Sequence, residues 1–276
     1  MKVVLFCGGL GMRIREANVP KPMVHVGNRP ILWHVMKYYA HFGHTDFILC
    51  LGYRADVIKN YFLTYNEFLS NDFELSRGGK NMRIFNSDIQ DWSITFADTG
   101  ANSNLGQRLK AVEKYLEGEE VFLANYSDNL TDFYLPHLIN HFRQQEKTAA
   151  FLCVHPSLSC HDVCLGSDGL VEEIRPMHQT GILINGGYFV FKRSIFDYIQ
   201  EGEELVQEPF RRLIAEKELV SCTYDGFWKS MDTFKEKQEL EDLYASGTAP
   251  WELWKQTNAS TTWRMQLPQG GAGVAR

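Results

Sequence analysis

The sequence contains no long uninterrupted stretch of apolar residues. No segment approaches the roughly 18 to 20 apolar residues that a membrane-spanning helix requires. The first residues, Met1 to Cys7, run directly into glycines and lack the apolar core and cleavage site of a signal peptide. We therefore expect a cytoplasmic protein without a membrane partner, in which the six cysteines are reduced thiols.

The sequence also has fewer basic residues than acidic ones. The 276 residues include 28 lysines and arginines against 34 aspartates and glutamates, which gives a net charge of -6. This balance argues against a nucleic acid partner, although a few focused cations are enough to bind phosphates. With 44% hydrophobic and 22% charged residues, the composition is ordinary for a globular protein and excludes a coiled-coil rod or disorder throughout.

Two common nucleotide-binding motifs are missing from the amino-terminal region. The glycine turn Gly8-Gly9-Leu10-Gly11 directly follows an apolar run, but no Gly-Lys-Ser/Thr comes after it, which excludes a P-loop. The pattern Gly-x-Gly-x-x-Gly is absent too, which argues against a nicotinamide-dependent oxidoreductase. Glycines at this place nevertheless let the backbone approach a triphosphate and direct N–H groups toward it.

Short apolar runs alternate with amphipathic segments through the first half of the chain, and the second half is more mixed. The runs predict strands and the amphipathic segments predict helices. This alternation predicts an α/β fold with a Rossmann-like, doubly wound mixed sheet and a smaller C-terminal region. The predicted strands are 3–7, 47–51, 93–97, 121–124, 149–154 and 182–191, and the predicted helices are 30–39, 54–65, 105–116, 135–145, 194–200, 208–217 and 233–245.

Two cations stand close to the glycine turn. Arg13 lies two residues beyond its last glycine, and Pro20-Lys21-Pro22-Met23 follows after a short spacer. The order Gly-Gly-x-Gly-x-Arg, spacer, Pro-Lys-x-Met resembles the signature of the sugar-1-phosphate nucleotidyltransferases. In that family a sugar phosphate oxygen attacks the α-phosphorus of a nucleoside triphosphate and pyrophosphate leaves. Such chemistry depends mainly on positioning and on charge neutralisation.

Further segments make the chain similar to the bacterial glucose-1-phosphate cytidylyltransferases, which make CDP-glucose. This resemblance covers residues 1–254. It implies an enzyme that transfers CMP from CTP to a glucose 1-phosphate-like sugar 1-phosphate, uses Mg²⁺ and forms a homo-oligomer. The matching segments are Lys21-Pro22-Met23-Val24, Pro30-Ile31-Leu32-Trp33-His34, Asp98-Thr99-Gly100, Arg108-Leu109-Lys110, Ile184-Asn185-Gly186-Gly187, Gln207-Glu208-Pro209, Gly226-Phe227-Trp228, Met231-Asp232-Thr233 and Ala249-Pro250-Trp251.

The resemblance also implies roles for individual residues. Arg13 and Lys21 are the expected catalytic cations, Arg13 at the leaving phosphates through its planar fork and Lys21 at the α-phosphate as a point charge. Asp128 and Asp232 match the family's two metal-binding aspartates. The expected nucleotide contacts are Gly8, Gly9, Leu10, Gly11, Met12, Arg13, Lys21, Ser103, Arg108 and Ser127, and the expected acceptor contacts are Arg175, Asn185 and Gly186.

Only the resemblance to the family indicates that Asp128 and Asp232 act together at one site. By position alone, Asp128 is a turn residue beyond a strand and Asp232 is a helix N-cap.

With the resemblance, we assign residues 1–255 to one nucleotidyltransferase domain, with nucleotide binding in 1–135 and acceptor binding in 136–255. The polar, small residues 256–276 predict a disordered tail.

Several positions depart from the family pattern, mostly on the acceptor side. Met12 replaces a threonine, Arg175 replaces a lysine that holds the acceptor phosphate, and Ser127-Asp128-Asn129 replaces Gly-Asp-Gly. These differences leave two alternatives open. One is a cytidylyltransferase for a different phosphorylated acceptor, and the other is a catalytically weak, nucleotide-binding regulatory paralogue. Retention of both cations and both aspartates favours an active enzyme.

A group of cysteines and histidines also allows a zinc hypothesis. Cys153, His155, Cys160, His161 and Cys164 lie within twelve positions of one another. Zinc modules typically show two close pairs of ligands separated by a longer loop, and this spacing fits no such site. Core thiols and loop histidines are therefore the favoured interpretation.

Overall fold

Seven strands form the central sheet of the computed structural model, which describes residues 1–9, 19–156 and 161–255. In chain order these strands are β1 (Val3–Phe6), β2 (Asp46–Leu51), β3 (Ser93–Asp98), β4 (Val121–Asn125), β5 (Ala149–Val154), β6 (Ile184–Lys192) and β7 (Leu219–Tyr224). Their order across the sheet is β7-β5-β6-β4-β1-β2-β3.

The sheet is mixed but mostly parallel. Strand β1 pairs in parallel with β2 and with β4, and β2 pairs in parallel with β3. Strand β6 lies between β4 and β5 and is antiparallel to both, whereas β5 and β7 are parallel. Six strands therefore share one direction and β6 alone is reversed, which confirms the predicted fold class.

Helices cover both faces of the sheet. They are α1 (Ile31–His41), α2 (Ala55–Leu63), α3 (Leu105–Val112), α4 (Leu135–Gln145), α5 (Glu208–Ala215) and α6 (Phe234–Ala245). Side chains alternate along β1, so that Val3 and Leu5 enter one core and Val4 and Phe6 enter the other. The first core is completed by α1, α2, α4 and α6 and the second by α3 and α5, as a doubly wound fold requires.

The structure differs from the predicted elements in several places. The predicted helix 105–116 is α-helical only to Val112 and continues as the 3-10 helix Glu113–Leu116. Residues 194–200, predicted as a helix, form the 3-10 helix Arg193–Tyr198. Strand β7 was not predicted, because its partly exposed residues do not form an apolar run. Small paired strands were also missed, namely Phe73–Ser76 with Asn81–Ile84, His161–Leu165 with Val171–Pro176, His25–Val26 with Arg29–Pro30, and Asn129–Thr131 with Trp228–Ser230. None of the described helices has the length and apolar character that crossing a bilayer needs.

The carboxyl ends of four parallel strands meet along one edge of the sheet. Gly8 follows β1, Gly52 follows β2, Gly100 follows β3 and Asp128 follows β4. The strand order reverses here, since β1 has β2 on one side and β4 on the other. Open parallel sheets bind their ligands at such a point, so a functional site is expected at this edge.

Candidate active site

Three charged side chains from distant parts of the chain meet at the carboxyl edge of the sheet. The ammonium nitrogen Nζ of Lys21 lies 2.5 Å from Oδ2 of Asp128 and 2.6 Å from Oδ1 of Asp232. The lysine side chain is only 13% exposed, so solvent screens this contact weakly. The structure thus brings together one predicted catalytic cation and both predicted metal ligands.

Local structure explains how Lys21 and Asp128 reach this place. Lys21 begins the 3-10 turn Lys21–Met23, in which the flanking Pro20 and Pro22 restrict the backbone. Asp128 follows β4 through Ser127, whose φ of 68° lies in the left-handed region. The Ser127 hydroxyl donates to the carbonyl of Phe6 in β1 at 2.7 Å. This bond ties the turn that carries Asp128 to the strand that carries the glycine turn.

Asp232 is positioned by the amino terminus of α6 but does not cap it. The cap is Thr233, whose hydroxyl accepts from the N–H of Glu236 at 3.3 Å. The Glu236 carboxylate in turn accepts from the N–H groups of Asp232 at 2.7 Å and Thr233 at 2.8 Å. This capping box fixes the backbone of Asp232 and leaves its carboxylate directed at Lys21.

Opposite charges offset the cost of burying the three groups. Burial lowers the pKa of Lys21, but Asp128 and Asp232 outweigh that effect, and the pKa of Lys21 is raised above its ordinary value. Burial raises the pKa of Asp128, against the opposing effect of Lys21. Lys21 is therefore a fixed positive charge at neutral pH.

Two carboxylates that converge on one cation are also suited to a divalent metal ion. Mg²⁺ is commonly held by one or two carboxylates and completes its coordination with water and phosphate oxygens. Across residues 1–9, 19–156 and 161–255, no group of three or more His, Cys, Asp or Glu side chains is placed to hold a metal. Asp128 and Asp232 are carboxylates, the type of ligand with which Mg²⁺ combines phosphate oxygens, and their role at a metal remains a prediction.

Arg108 lies beneath Gly8, the first residue of the glycine turn. Its side chain is 3% exposed, and its Nη2 donates to the carbonyl of Gly8 at 3.0 Å. Ser103 likewise donates through Oγ to the carbonyl of Thr99 at 2.5 Å. Together with the Ser127 hydroxyl, these side chains direct their donors into the protein. The direct nucleotide contacts expected of Ser103, Arg108 and Ser127 remain predictions.

The rest of the predicted nucleotide loop is described only in part. Gly8 is buried and Gly9 is exposed. Leu10, Gly11, Met12 and Arg13 lie outside the described residues, and so does the predicted tail 256–276. Cys160 of the zinc hypothesis lies outside them as well, and the other four zinc candidates form no metal-binding group in the described part of the chain.

Asn185 and Gly186 lie beside the turn after β4, because β6 pairs antiparallel with β4. Asn185 donates through Nδ2 to the hydroxyl of Tyr126 at 3.0 Å. The carbonyl of Gly186 accepts from Nε1 of Trp228 at 2.8 Å and from Nδ2 of Asn129 at 3.3 Å. Two of the predicted acceptor residues, Asn185 and Gly186, thus lie close in the fold to the turn that carries Asp128.

Arg175 is held by its own hairpin. Its Nη2 lies 3.0 Å from Oδ2 of Asp162 and 3.4 Å from Sγ of Cys164, and its Nη1 lies 3.5 Å from Glu173. The described contacts of this guanidinium do not include the Lys21 site. Its role at an acceptor phosphate remains a prediction.

Sequence reasoning missed three residues that shape the site. Tyr126 and Trp228 contact the predicted acceptor residues, yet aromatic residues next to strands are usually read as core. Glu236 supports Asp232 from the first turn of α6. The Thr233-x-x-Glu236 spacing is a capping-box signature, so this signal was present in the sequence.

Comparison with known proteins gives matches over most of the chain. The Nucleotidyl transferase family matches residues 2–242. A glucose-1-phosphate cytidylyltransferase of Salmonella typhimurium is 37% identical over 260 residues, which cover 92% of this chain and 100% of the relative. A probable glucose-1-phosphate cytidylyltransferase of Bacillus subtilis is 34% identical over 258 residues, with the same coverage.

Solved structures agree at the level of the fold. A UDP-glucose pyrophosphorylase in complex with UDP-glucose superimposes with a TM-score of 0.65 at 12% identity, covering 89% of this chain and 98% of that one. HddC from Yersinia pseudotuberculosis in complex with GMP-PN gives 0.63 at 19% identity, with 88% and 99% covered. From the family match and the sequence relatives together, the chain belongs to the nucleotidyl transferase family and is a nucleotidyltransferase.

Proposed function

We propose that this enzyme transfers CMP from CTP to a sugar 1-phosphate of the glucose 1-phosphate type, releasing pyrophosphate and forming a CDP-sugar. The observation that carries the proposal is the convergence of Lys21 with Asp128 and Asp232 at the sheet edge. Nucleotidyl transfer needs positive charge where the α-phosphate reacts. The choice of CTP and glucose 1-phosphate rests on the name of the 37% identical Salmonella relative.

The proposed reaction is a displacement at phosphorus. An oxygen of the sugar phosphate forms a bond to the α-phosphorus of CTP, and the bond from that phosphorus to the bridging oxygen breaks. The electron pair leaves on pyrophosphate. Lys21 stabilises negative charge on the α-phosphoryl oxygens, and Arg13 binds the departing phosphates. Gly8 to Arg13, Ser103, Arg108 and Ser127 form the nucleotide side of the proposed site.

Asp128 and Asp232 are the residues proposed to hold Mg²⁺. When bound, this ion supplies positive charge at the phosphate oxygens. The protein's part is to hold the two carboxylates in place, through the Ser127 turn and the capping box of α6. Lys21 reduces the repulsion between the two carboxylates, because it contacts both.

The acceptor side of the proposal consists of Arg175, Asn185 and Gly186 within the proposed acceptor part, residues 136–255. A different phosphorylated acceptor is the second candidate. One observation favours it: Arg175, which stands where the family has a phosphate-binding lysine, is paired with Asp162. Side chains at Ser127 and Asn129 also occupy positions at which the family has glycine.

We further infer a homo-oligomer in the cytoplasm, with no nucleic acid or membrane partner. Exposed apolar side chains on and beside the hairpin of residues 73–84 support self-association, among them Leu75 and Met82. A net charge of -6 is unfavourable for nucleic acid and for anionic lipid. The proposed substrates are metabolites that are consistent with a cytoplasmic location.

A pyrophosphate-release assay with Mg²⁺ tests the function. CTP, UTP, dTTP, ATP and GTP are each paired with a panel of sugar 1-phosphates and other phosphorylated acceptors. We expect the highest kcat/KM for CTP with glucose 1-phosphate. A preference for CTP with another acceptor would support the second candidate. Absence of pyrophosphate release from every pair would reject catalysis and favour a nucleotide-binding regulatory role.

A further inference from the structure

Arg108 of α3 is enclosed by the carboxyl ends of three parallel strands. The space it occupies exists because the strands end in glycine. A Cβ at Gly8 would overlap the guanidinium, and a Cβ at Gly52 would lie 2.8 Å from Nη1. Gly8 and Gly52 must therefore lack a Cβ for Arg108 to fit where it does, whereas an arginine on the surface would place no such demand on its neighbours. The enclosure of Arg108 is therefore a specific feature of the sheet edge.

Every terminal N–H of the guanidinium is used by the protein. Nη1 donates to Oγ1 of Thr99 at 2.8 Å and to the carbonyl of Leu51 at 3.3 Å. Nη2 donates to the carbonyls of Gly8 at 3.0 Å and Ala101 at 3.4 Å. No terminal donor is left for a ligand, so direct hydrogen bonding from these nitrogens to a nucleotide would break an existing bond.

The charge of Arg108 is not neutralised by these contacts. All four acceptors are neutral oxygens, and the side chain is 3% exposed. Burial lowers the pKa of Arg108. A buried cation bonded to neutral groups projects its field toward nearby anions, since little solvent screens it; one of these anions is the carboxylate of Asp98, whose charge raises the pKa of Arg108 against the effect of burial. Gly8, the first residue of the glycine turn, lies directly above this charge.

The contact with Gly8 also sets the direction of one peptide group. The carbonyl and N–H of a trans peptide point in opposite directions. The carbonyl of Gly8 points inward, where it accepts from Arg108 at 3.0 Å and from the N–H of Tyr53 at 3.2 Å. The N–H of Gly9 therefore points outward. Gly9 is exposed, and apart from its chain neighbours no atom of the described residues lies within 4 Å of the position that a Cβ would take.

We propose that Arg108 is a positioning residue which binds nucleotide phosphates without touching them. It fixes the Gly8–Gly9 peptide so that the Gly9 N–H faces the nucleotide, and its buried charge attracts the phosphates through that peptide. This inference rests on the proposed function, because it takes a nucleoside triphosphate as the ligand. It replaces the direct contact expected of Arg108 from sequence resemblance.

Ligands with zero to three phosphates measure the effect of the Arg108 charge separately from its effect on the fold. The rise of affinity with each added phosphate is called the ladder below. Calorimetry gives the affinity of wild type and Arg108→Met for cytidine, CMP, CDP and CTP, without acceptor and with EDTA present. We expect wild-type affinity to rise with each phosphate. In Arg108→Met the rise should be much smaller, with CTP weakened about 100-fold and cytidine less than about threefold. A purely structural arginine would weaken all four ligands by a similar factor.

Two further variants sharpen the test. Arg108→Lys keeps the charge but loses the planar fork, so it should weaken CDP and CTP less than Arg108→Met does and retain the rise of affinity with each phosphate, with cytidine again changed less than about threefold. Arg193→Met is the matched control, because Arg193 also donates to a backbone carbonyl, that of Leu116, but next to the first residues of β4 at the opposite edge. The control should bind all four ligands like the wild type. If Arg108→Met does not fold, the ladder of Arg108→Lys still decides.

The outcomes separate this inference from the proposed function. A wild-type protein that binds CTP no better than cytidine would contradict nucleoside triphosphate binding itself. A clear wild-type ladder that persists in Arg108→Met would overturn the role of Arg108 alone. Loss of the ladder in Arg108→Lys would also overturn it, because that variant retains the positive charge.

Discussion

At the scale of single residues, the site depends on a lysine whose two partners come from far along the chain. Lys21 contacts Asp128 and Asp232 at 2.5 and 2.6 Å. The family signature predicted all three residues, but spacing alone gave no reason to join them, because an aspartate after a strand or before a helix is usually a turn or cap residue. The inward direction of Arg108 was also beyond prediction, since arginine is rarely buried.

We predict that Asp128→Asn and Asp232→Asn each lower kcat by at least about 100-fold while the protein stays folded. Asparagine preserves the shape of aspartate but removes the charge that attracts both Lys21 and a metal ion. Steady-state assays with Mg²⁺, together with circular dichroism, measure the two effects.

Asp132→Asn is the matched control for these variants. Asp132 is also a partly buried carboxylate near β4, but it accepts from the hydroxyl of Tyr224 at 2.5 Å and from the N–H of Phe227 at 3.0 Å. Its substitution should leave kcat within a few-fold of wild type. Near-normal turnover in Asp128→Asn or Asp232→Asn would remove that residue from the metal site.

At the scale of elements, the pattern of apolar residues predicted the strands that are buried in the sheet and missed the strands that are exposed. Strands β1, β2 and β4 are apolar runs and were found within one residue at each end. The hairpin formed by Phe73–Ser76 and Asn81–Ile84 is largely exposed, so no core selects an alternating pattern there. The capping box of α6 is a local signal with a direct effect on the site, because it holds the backbone of Asp232.

We predict that Glu236→Ala lowers the free energy of unfolding by about 1 to 2 kcal/mol, because the N–H groups of Asp232 and Thr233 lose their shared acceptor. Turnover should fall as well, since the carboxylate of Asp232 is then less well oriented. Urea titration and steady-state kinetics measure the two changes. Glu236→Gln keeps an acceptor oxygen and should recover most of both; equal losses in the two variants would argue against the capping role.

At the scale of the whole molecule, a buried histidine joins the C-terminal segment to the first core. The neutral imidazole of His34 donates through Nε2 to the carbonyl of Val26 at 2.9 Å and accepts at Nδ1 from Nε1 of Trp251 at 3.2 Å. The pKa of His34 is lowered from 6.5 to about 4, mainly by burial; the hydrogen bond to Val26 opposes this shift, and the nearby Lys255, His25 and Arg29 add to it. The folded protein therefore excludes the protonated form.

This linkage predicts a loss of stability in mild acid. Below pH 6.5 the unfolded chain takes up a proton at His34 that the folded chain refuses until about pH 4, so stability falls as the pH drops through this window. The contribution of His34 between pH 7 and pH 5 is on the order of 2 kcal/mol. Urea titrations at both pH values should show that loss in wild type and a smaller one in His34→Gln.

The exposed His137 of α4 provides the control for this prediction. His137→Gln should retain the full pH dependence of the wild type. If His34→Gln loses as much stability as the wild type between pH 7 and pH 5, then His34 is not responsible for the acid sensitivity.

The contacts of Lys21 have a consequence for how the chain acquires activity. Its two partners are 107 and 211 residues away in sequence, so the site closes only when the two ends of the domain have met. Contacts of such high sequence separation form late, because the entropy of closing long loops must be overcome first. Helices form from local contacts and can therefore precede the site, whereas the central sheet itself needs pairs as distant as Val3 with Leu123. During refolding, regain of activity is expected to lag behind regain of helical structure, so activity reports the completed fold.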